Sequence, residues 1–119
     1  MRYKIGIASS DGKVVNLHFG KASVFYIVEA DSETMTFQYI ESRTTEPVCQ
    51  GQEHDEDQLL LLADRLKDCD YVLVSQIGNG ARAALDRFHI DAYELPGLLE
   101  ESIQRLLSFV EVQKLFVER

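Results

Sequence analysis

The sequence predicts a single α/β domain, residues 1–119, built on a mixed five-stranded sheet with helices on both faces. Three observations lead there. The N-terminal third carries three β-rich runs, the last two separated only by Asp31-Ser32-Glu33-Thr34. The remainder alternates helical patterns with short apolar runs. The length of 119 residues with 45% hydrophobic content closes one core and is too small for two.

Tyr3-Lys4-Ile5-Gly6-Ile7-Ala8 alternates as a strand does, and Ser9-Ser10-Asp11-Gly12 ends it with turn formers. Val24 to Ala30 and Met35 to Ser42 are the second and third strands, joined closely enough to force an antiparallel hairpin. A polar stretch from Arg43 to Glu53 follows. Leu59, Leu60, Leu62, Ala63 and Leu66 then recur at helical spacing behind an acidic first turn. Asp70 to Ser75 is a short apolar run suited to a buried central strand. Gly78-Asn79-Gly80 opens a second helix carrying Ala84, Leu85 and Phe88, and Asp91 to Leu95 makes the fifth strand. Pro96-Gly97 breaks the chain before a last helix, in which Leu99, Ile103, Leu106 and Val110 are spaced for one buried face.

Right-handed crossovers place the fourth and fifth strands parallel to the first, giving the order 3-2-1-4-5, which resembles the ribonuclease H-like motif. In that topology the loops 9–23, 43–54 and 76–80 converge on one edge of the sheet. Strand order reverses between the first and fourth strands, and open α/β sheets bind ligands at such switch points.

A formal net charge of −8 disfavours nucleic acid as a partner, because that affinity rests on Lys and Arg neutralising phosphates. Lys13, Lys21, Arg43 and Arg82 fall in or beside candidate loops and leave room for a local positive patch. No run approaches the ~20 apolar residues of a membrane helix, and Met1-Arg2-Tyr3-Lys4 leads straight into a strand pattern, so the expectation is a cytosolic protein. Cys49 and Cys69 are too few for a disulfide framework. Leu115-Phe116-Val117 is a terminal apolar patch that either docks on its own sheet or packs on a second subunit, which gives a monomer or a weak homodimer.

The first loop contains Asn16-Leu17-His18-Phe19-Gly20, with an imidazole at the mouth of the sheet. His18 has two readings: a metal ligand or proton shuttle, or a histidine hydrogen-bonded to a loop carbonyl. Phe19 reads as a core plug. In Pro47-Val48-Cys49-Gln50-Gly51-Gln52-Glu53-His54-Asp55, thiolate and imidazole share one loop and suit iron-sulfur species, zinc or copper. Two ligands do not close a structural zinc site, so a metal there needs further donors, such as His18 or a cofactor's own sulfides. The alternative makes Cys49 an inert small hydrophobe and His54 a helix cap. Gln76 to Arg82 places Gly78, Gly80 and free N–H groups at a helix start where an anion can be held, with Arg82 near by; a plain tight turn explains the same residues. Asp55, Glu56 and Asp57 follow from the helix dipole. Cys69 and His89 fall on the opposite edge and read as structural.

Ile7-Ala8-Ser9-Ser10-Asp11-Gly12, Val15-Asn16-Leu17-His18-Phe19-Gly20, Val48-Cys49-Gln50-Gly51 and Asp68-Cys69-Asp70 leading through Val72-Leu73-Val74-Ser75 to Ile77-Gly78 form a set. Together they resemble the dinitrogenase iron-molybdenum cofactor biosynthesis family, including the NifX type and the C-terminal domain of NifB. The resemblance runs from about residue 4 to about residue 108. It implies a ribonuclease H-like domain that binds iron-molybdenum cofactor or an iron-sulfur precursor cluster and passes it between assembly proteins, by carriage and not catalysis. His18 and Cys49 carry over as cofactor contacts, and Gln52 stands where the family often has a second glycine. The expected set is therefore His18, Cys49 and His54 as metal donors with Gly78, Gly80 and Arg82 as further cofactor contacts. The competing expectations are a regulatory or interaction domain without a metal cofactor, and an enzyme with Cys49 as nucleophile.

Overall fold

The computed structural model describes residues 1–47 and 55–117. In chain order the elements are β1 (Arg2–Ala8), β2 (Val14–Val15), a 3-10 turn (Phe19–Lys21), β3 (Val24–Asp31), β4 (Thr36–Thr44), α1 (Asp55–Asp64), β5 (Tyr71–Val74), α2 (Asn79–Asp86), β6 (Asp91–Glu94), β7 (Gly97–Leu98) and α3 (Leu99–Val117).

Burial on both faces makes β1 central. Ile5 and Ile7 point to one side, Gly6 and Ala8 to the other, and all four are buried. β3 pairs with β1 antiparallel and β5 pairs with it parallel. With β4 on β3 and β6 on β5, the sheet runs β4-β3-β1-β5-β6. One face holds Ala8, Phe25, Ile27, Val72 and Val74 against Leu62, Ala63 and Leu66 of α1 and the turn after it, and against Ala81, Ala84 and Leu85 of α2. The other holds Ile5, Ile7, Val28, Ala30 and Leu73 against Leu99, Ile103, Leu106, Leu107 and Val110 of α3. Each Leu or Ile buried this way stabilises the fold by about 1.5–3 kcal/mol. At Gly6 an added Cβ would stand 3.4 Å from Leu66 and 3.5 Å from the Cys69 Sγ, ordinary contact distances that show how near the chain after α1 lies to β1.

Several features depart from the sequence expectation. A second, two-stranded sheet joins Val14 and Val15 to Leu98 and Gly97, and Leu99 N–H donates to the Lys13 carbonyl at 2.9 Å. Two-residue strands carry no period to read. Gly97 has φ +129°, a conformation only glycine takes readily. β4 starts at Thr36, because Met35 turns left-handed at φ 58°, and its pairing with β3 skips Ile40 in a bulge. Leu115 and Phe116 stand 73% and 70% exposed, so they are not docked on their own sheet.

Arg43 is not available to a ligand patch. Its Nη1 and Nη2 donate to the two carboxylate oxygens of Asp68 at 2.7 and 2.8 Å, Nη1 also reaches the Arg65 carbonyl at 2.8 Å, and Nε donates to Glu41 at 3.0 Å. Lys4 Nζ lies 3.1 Å from Asp68. These contacts tie β4 and β1 to the end of α1.

Two outcomes follow from this arrangement. The Arg43 and Lys4 hydrogen bonds hold the Asp68 carboxyl well below the usual carboxylate range. A depressed carboxylate contributes stability above its unfolded pKa, near 3.9, and loses it as pH falls through the folded value. The Asp68 side chain is 42% exposed, so solvent screens much of this gain, and Asp68→Asn should cost about 0.5–1 kcal/mol at pH 7, with the difference from the parent shrinking below about pH 4 in urea titrations. The second concerns the exit from α2, where His89 takes φ 60° and Ile90 N–H donates to the Leu85 carbonyl at 3.1 Å. His89→Gly should raise stability by about 0.5–1 kcal/mol, read as a higher melting temperature.

Candidate functional site

The site grows from the end of β1. Ser9, fully buried, accepts the Gly12 N–H at its Oγ at 2.9 Å. The Asp11 carboxylate accepts the N–H groups of Lys13 and Val14 at 2.8 and 3.2 Å. The Lys13 N–H is the main reason that the Asp11 carboxyl lies below its ordinary range. Gly12 has φ +76°, and a Cβ there would come within 3.1 Å of the Tyr26 ring. Asn16 then clasps the loop, its Oδ1 accepting Ser10 N–H at 3.0 Å and its Nδ2 donating to Ser10 Oγ at 2.9 Å.

This tight reversal returns the chain beside β5. Leu17 N–H donates to the Ala8 carbonyl at 3.3 Å, Ser75 N–H to the Leu17 carbonyl at 3.0 Å, and Phe19 N–H to the Gln76 carbonyl at 3.0 Å. His18 and Gln76 thus form a parallel bridge beyond the last residue of β5. Leu17 and Phe19 pack into the core, where the Phe19 ring meets Phe25 edge-on at 5.7 Å. His18 between them is exposed, and its imidazole makes no hydrogen bond or ion pair with a described residue. Its position is set by the backbone bonds on either side of it.

The turn after β5 lies next to that bridge. Gly78 precedes α2 in extended backbone, φ −86° and ψ 169°, with open space where its Cβ would be. Gly80 faces Leu59 of α1, whose Cδ1 would be 3.5 Å from an added Cβ. Glu94, at the end of β6, accepts the Ile77 N–H at 2.8 Å, which brings a carboxylate to the turn proposed for an anion. Arg82 reaches away across β6, donating from Nη1 to the Ala92 carbonyl at 2.9 Å.

The expected residues therefore divide. His18, Gly78 and Gly80 share the edge formed by the ends of β1 and β5, and Arg82 turns toward β6. Cys49 and His54 lie outside the described residues. The chain leading toward them is pinned at buried Thr45, whose N–H donates to the Ser23 carbonyl at 2.9 Å and whose Oγ1 donates to the Ala22 carbonyl at 3.0 Å. It re-enters the described structure at α1. Among the described residues no group of three His, Cys, Asp or Glu side chains is placed to hold a metal ion. An open depression of about 590 Å³ borders the same stretch, lined by Thr45, Pro47, Leu61 and Arg65 among others, and His18 does not line it.

Glu94, Asn16 and Thr45 were not singled out from the sequence. Glu94 sits in an ordinary acidic strand end, and only the parallel β5–β6 pairing brings it to Ile77. Cys69 packs on Gly6 at 4% exposure, and burial pushes its thiol up to about 12.

These features define a small α/β domain in which the loop after β1 and the turn after β5 meet at the point where the strand order reverses. The chain belongs to the dinitrogenase iron-molybdenum cofactor family, whose model matches residues 1–108. It is 31% identical over 99 residues to the FeMo cofactor biosynthesis protein NifB of Chlorobaculum tepidum, covering 83% of this chain and 22% of that protein. To the NifB of Frankia alni it is 30% identical over 105 residues, covering 86% and 20%. The chain thus spans about a fifth of the length of these relatives. The crystal structure of PH0822 superposes with a TM-score of 0.63 at 20% identity, covering 92% of each chain, and so shares the fold.

A labelling experiment checks the assignment of Cys69. In a Cys49→Ser variant, a neutral thiol reagent at pH 8 should modify no cysteine until denaturant is added, because the thiolate is the reactive form and Cys69 is both buried and protonated there.

Proposed function

We propose that this chain binds and carries a metal-sulfur cluster, either iron-molybdenum cofactor or an iron-sulfur precursor, on behalf of cofactor assembly proteins, and that it acts by binding and not by catalysis. Membership of the family supports a part in iron-molybdenum cofactor assembly. The observation that carries the finer reading is the placement of His18: an exposed imidazole, without a partner among the described residues, on a backbone bonded to Ala8 on one side and held by Ser75 and Gln76 on the other. A neutral imidazole so presented is a ligand for iron or another borderline metal.

One histidine does not enclose a metal, and a cluster brings its own sulfides as donors. A cargo held by few protein bonds can also be handed on. Cys49 and His54 are the further donors in this proposal, on the segment that leaves Thr45 and returns at α1. Ser75 Oγ, buried without a hydrogen-bond partner among the described residues, lies next in sequence to the His18–Gln76 bridge. Gly78 and Gly80 supply N–H groups at the start of α2. Glu94 limits that contribution, because its carboxylate already occupies Ile77 N–H and repels a second anion close by. That contact is also what favours the other reading, a ribonuclease H-like interaction domain with no metal cofactor.

Anaerobic purification followed by metal and sulfide analysis separates the two: the carrier reading expects iron and acid-labile sulfide with visible absorbance, the other neither. His18→Ala should lower retention of added cluster roughly tenfold or more while moving the melting temperature little, since the ring makes no hydrogen bond among the described residues. A large loss of stability with intact binding would contradict the proposal. Cys49→Ser should speed cluster dissociation more than Cys69→Ser does; equal effects would remove Cys49 from the donor set.

A further inference from the structure

The chain contains two asparagines, and the fold treats their side chains differently. Asn16 has its amide engaged at both ends: Oδ1 accepts the Ser10 N–H at 3.0 Å and Nδ2 donates to Ser10 Oγ at 2.9 Å. The residue after it, Leu17, packs on the core and donates its N–H to the Ala8 carbonyl at 3.3 Å. Asn79 is exposed, its amide makes no hydrogen bond with a described residue, and the residue after it is glycine.

We propose that the Asn79–Gly80 peptide is a site of spontaneous deamidation, a covalent modification that needs no enzyme. The chemistry requires a main-chain nitrogen free to attack, a side-chain amide free to receive it, and a backbone able to leave the helical conformation while the two meet. Gly80 lies in the first turn of α2, where N–H groups have no intrahelical acceptor, so its nitrogen is not held. The Asn79 amide stands at the surface beside it. Gly78 in the N-cap position makes no side-chain bond that would fasten this turn. α2 is 8 residues long, and the uncapped end of a short helix is the part that opens first. Glycine reaches the backbone angles of ring closure at least cost and puts no Cβ in the path of attack.

The step balances with water as the only co-reactant. The Gly80 nitrogen bonds to Asn79 Cγ and loses its proton, while Nδ2 takes up a proton and leaves as ammonia, so that a cyclic imide remains. Water then opens the ring at one of its two carbonyls. Opening at Cγ restores the main chain and leaves an aspartyl side chain at position 79. Opening at the main-chain carbonyl routes the backbone through Cγ and leaves the isoaspartyl form. Both products gain one negative charge where the helix dipole favours it. That charge arises two residues beyond Ile77, whose N–H the Glu94 carboxylate already holds at 2.8 Å, so ageing makes the start of α2 still less open to an anion. The modification itself does not depend on the cluster reading.

Ageing of the full chain tests this. After incubation in mildly alkaline buffer at physiological temperature, peptide mapping by mass spectrometry should find acid in place of amide at Asn79, as mixed aspartyl and isoaspartyl forms. Asn16 should be unchanged. The modified chain should elute later from an anion exchanger. The rate at Asn79 should lie within about tenfold of that in an unstructured peptide of the same sequence, because only the first turn has to open. Gly80→Ala should slow the reaction about tenfold or more. That variant should keep the fold, since the added Cβ would stand 3.5 Å from the Leu59 Cδ1, an ordinary contact distance, and alanine is the better helix former. An Asn79 amide that survives while the free peptide loses its own, modification of Asn16 at an equal rate, or no slowing in Gly80→Ala overturns the proposal.

Discussion

The double burial of β1 is the constraint on which the rest of the structure depends. A strand with Ile5 and Ile7 on one face and Gly6 and Ala8 on the other must have layers on both sides, so α1 and α2 take one face and α3 the other. The central position of β1 also means that its end at Ala8 leaves a place in the sheet beside β5. The chain fills that place itself: after the Ser9–Asn16 reversal, Leu17 to Phe19 take up hydrogen bonds to Ala8, Ser75 and Gln76. His18 is set at this edge of the sheet as a consequence of how the central strand ends.

The hydrogen bonding around that edge separates what is rigid from what can meet a ligand. Ser9, Asp11 and Asn16 spend their polar atoms on the backbone of their own loop, and Thr45 spends its on Ala22 and Ser23. Polar groups satisfied locally hold loop shape without offering themselves to a partner. His18 has its backbone fixed by neighbours on both sides, while its side chain makes no hydrogen bond among the described residues. The same logic separates the arginines: Arg43 and Arg82 face the framework, one through Asp68 and one through Ala92.

Electrostatics divides the molecule along the same lines. Asp68 is paired with Arg43 and Lys4 where α1 ends, and the depressed carboxyl there belongs to the structural framework. Glu94 sits at the end of β6, bonded through one oxygen to Ile77 in the turn after β5. An anion approaching the start of α2 would meet the N–H dipoles and this carboxylate together, which narrows the part the glycine turn can play.

The sequence by itself determined the mixed α/β sheet, its principal helices and strands, and the family. Period-two alternation in Tyr3–Ala8 and helical spacing from Leu99 to Val110 report burial directly, and burial on this scale is a local pattern. It also gave His18 as a residue at the loop edge, because the run Leu17-His18-Phe19 places one polar group between two apolar ones. Only the tertiary structure decided that the His18 ring is exposed, that Arg82 and Arg43 turn to the framework, that Glu94 meets Ile77, and that Val14 and Val15 pair with Leu98 and Gly97. Those are contacts between residues far apart in the chain or between groups with several chemically equivalent partners. Spacing fixes which face a residue occupies, while the partner its polar atoms find depends on strand register and on where separate loops end.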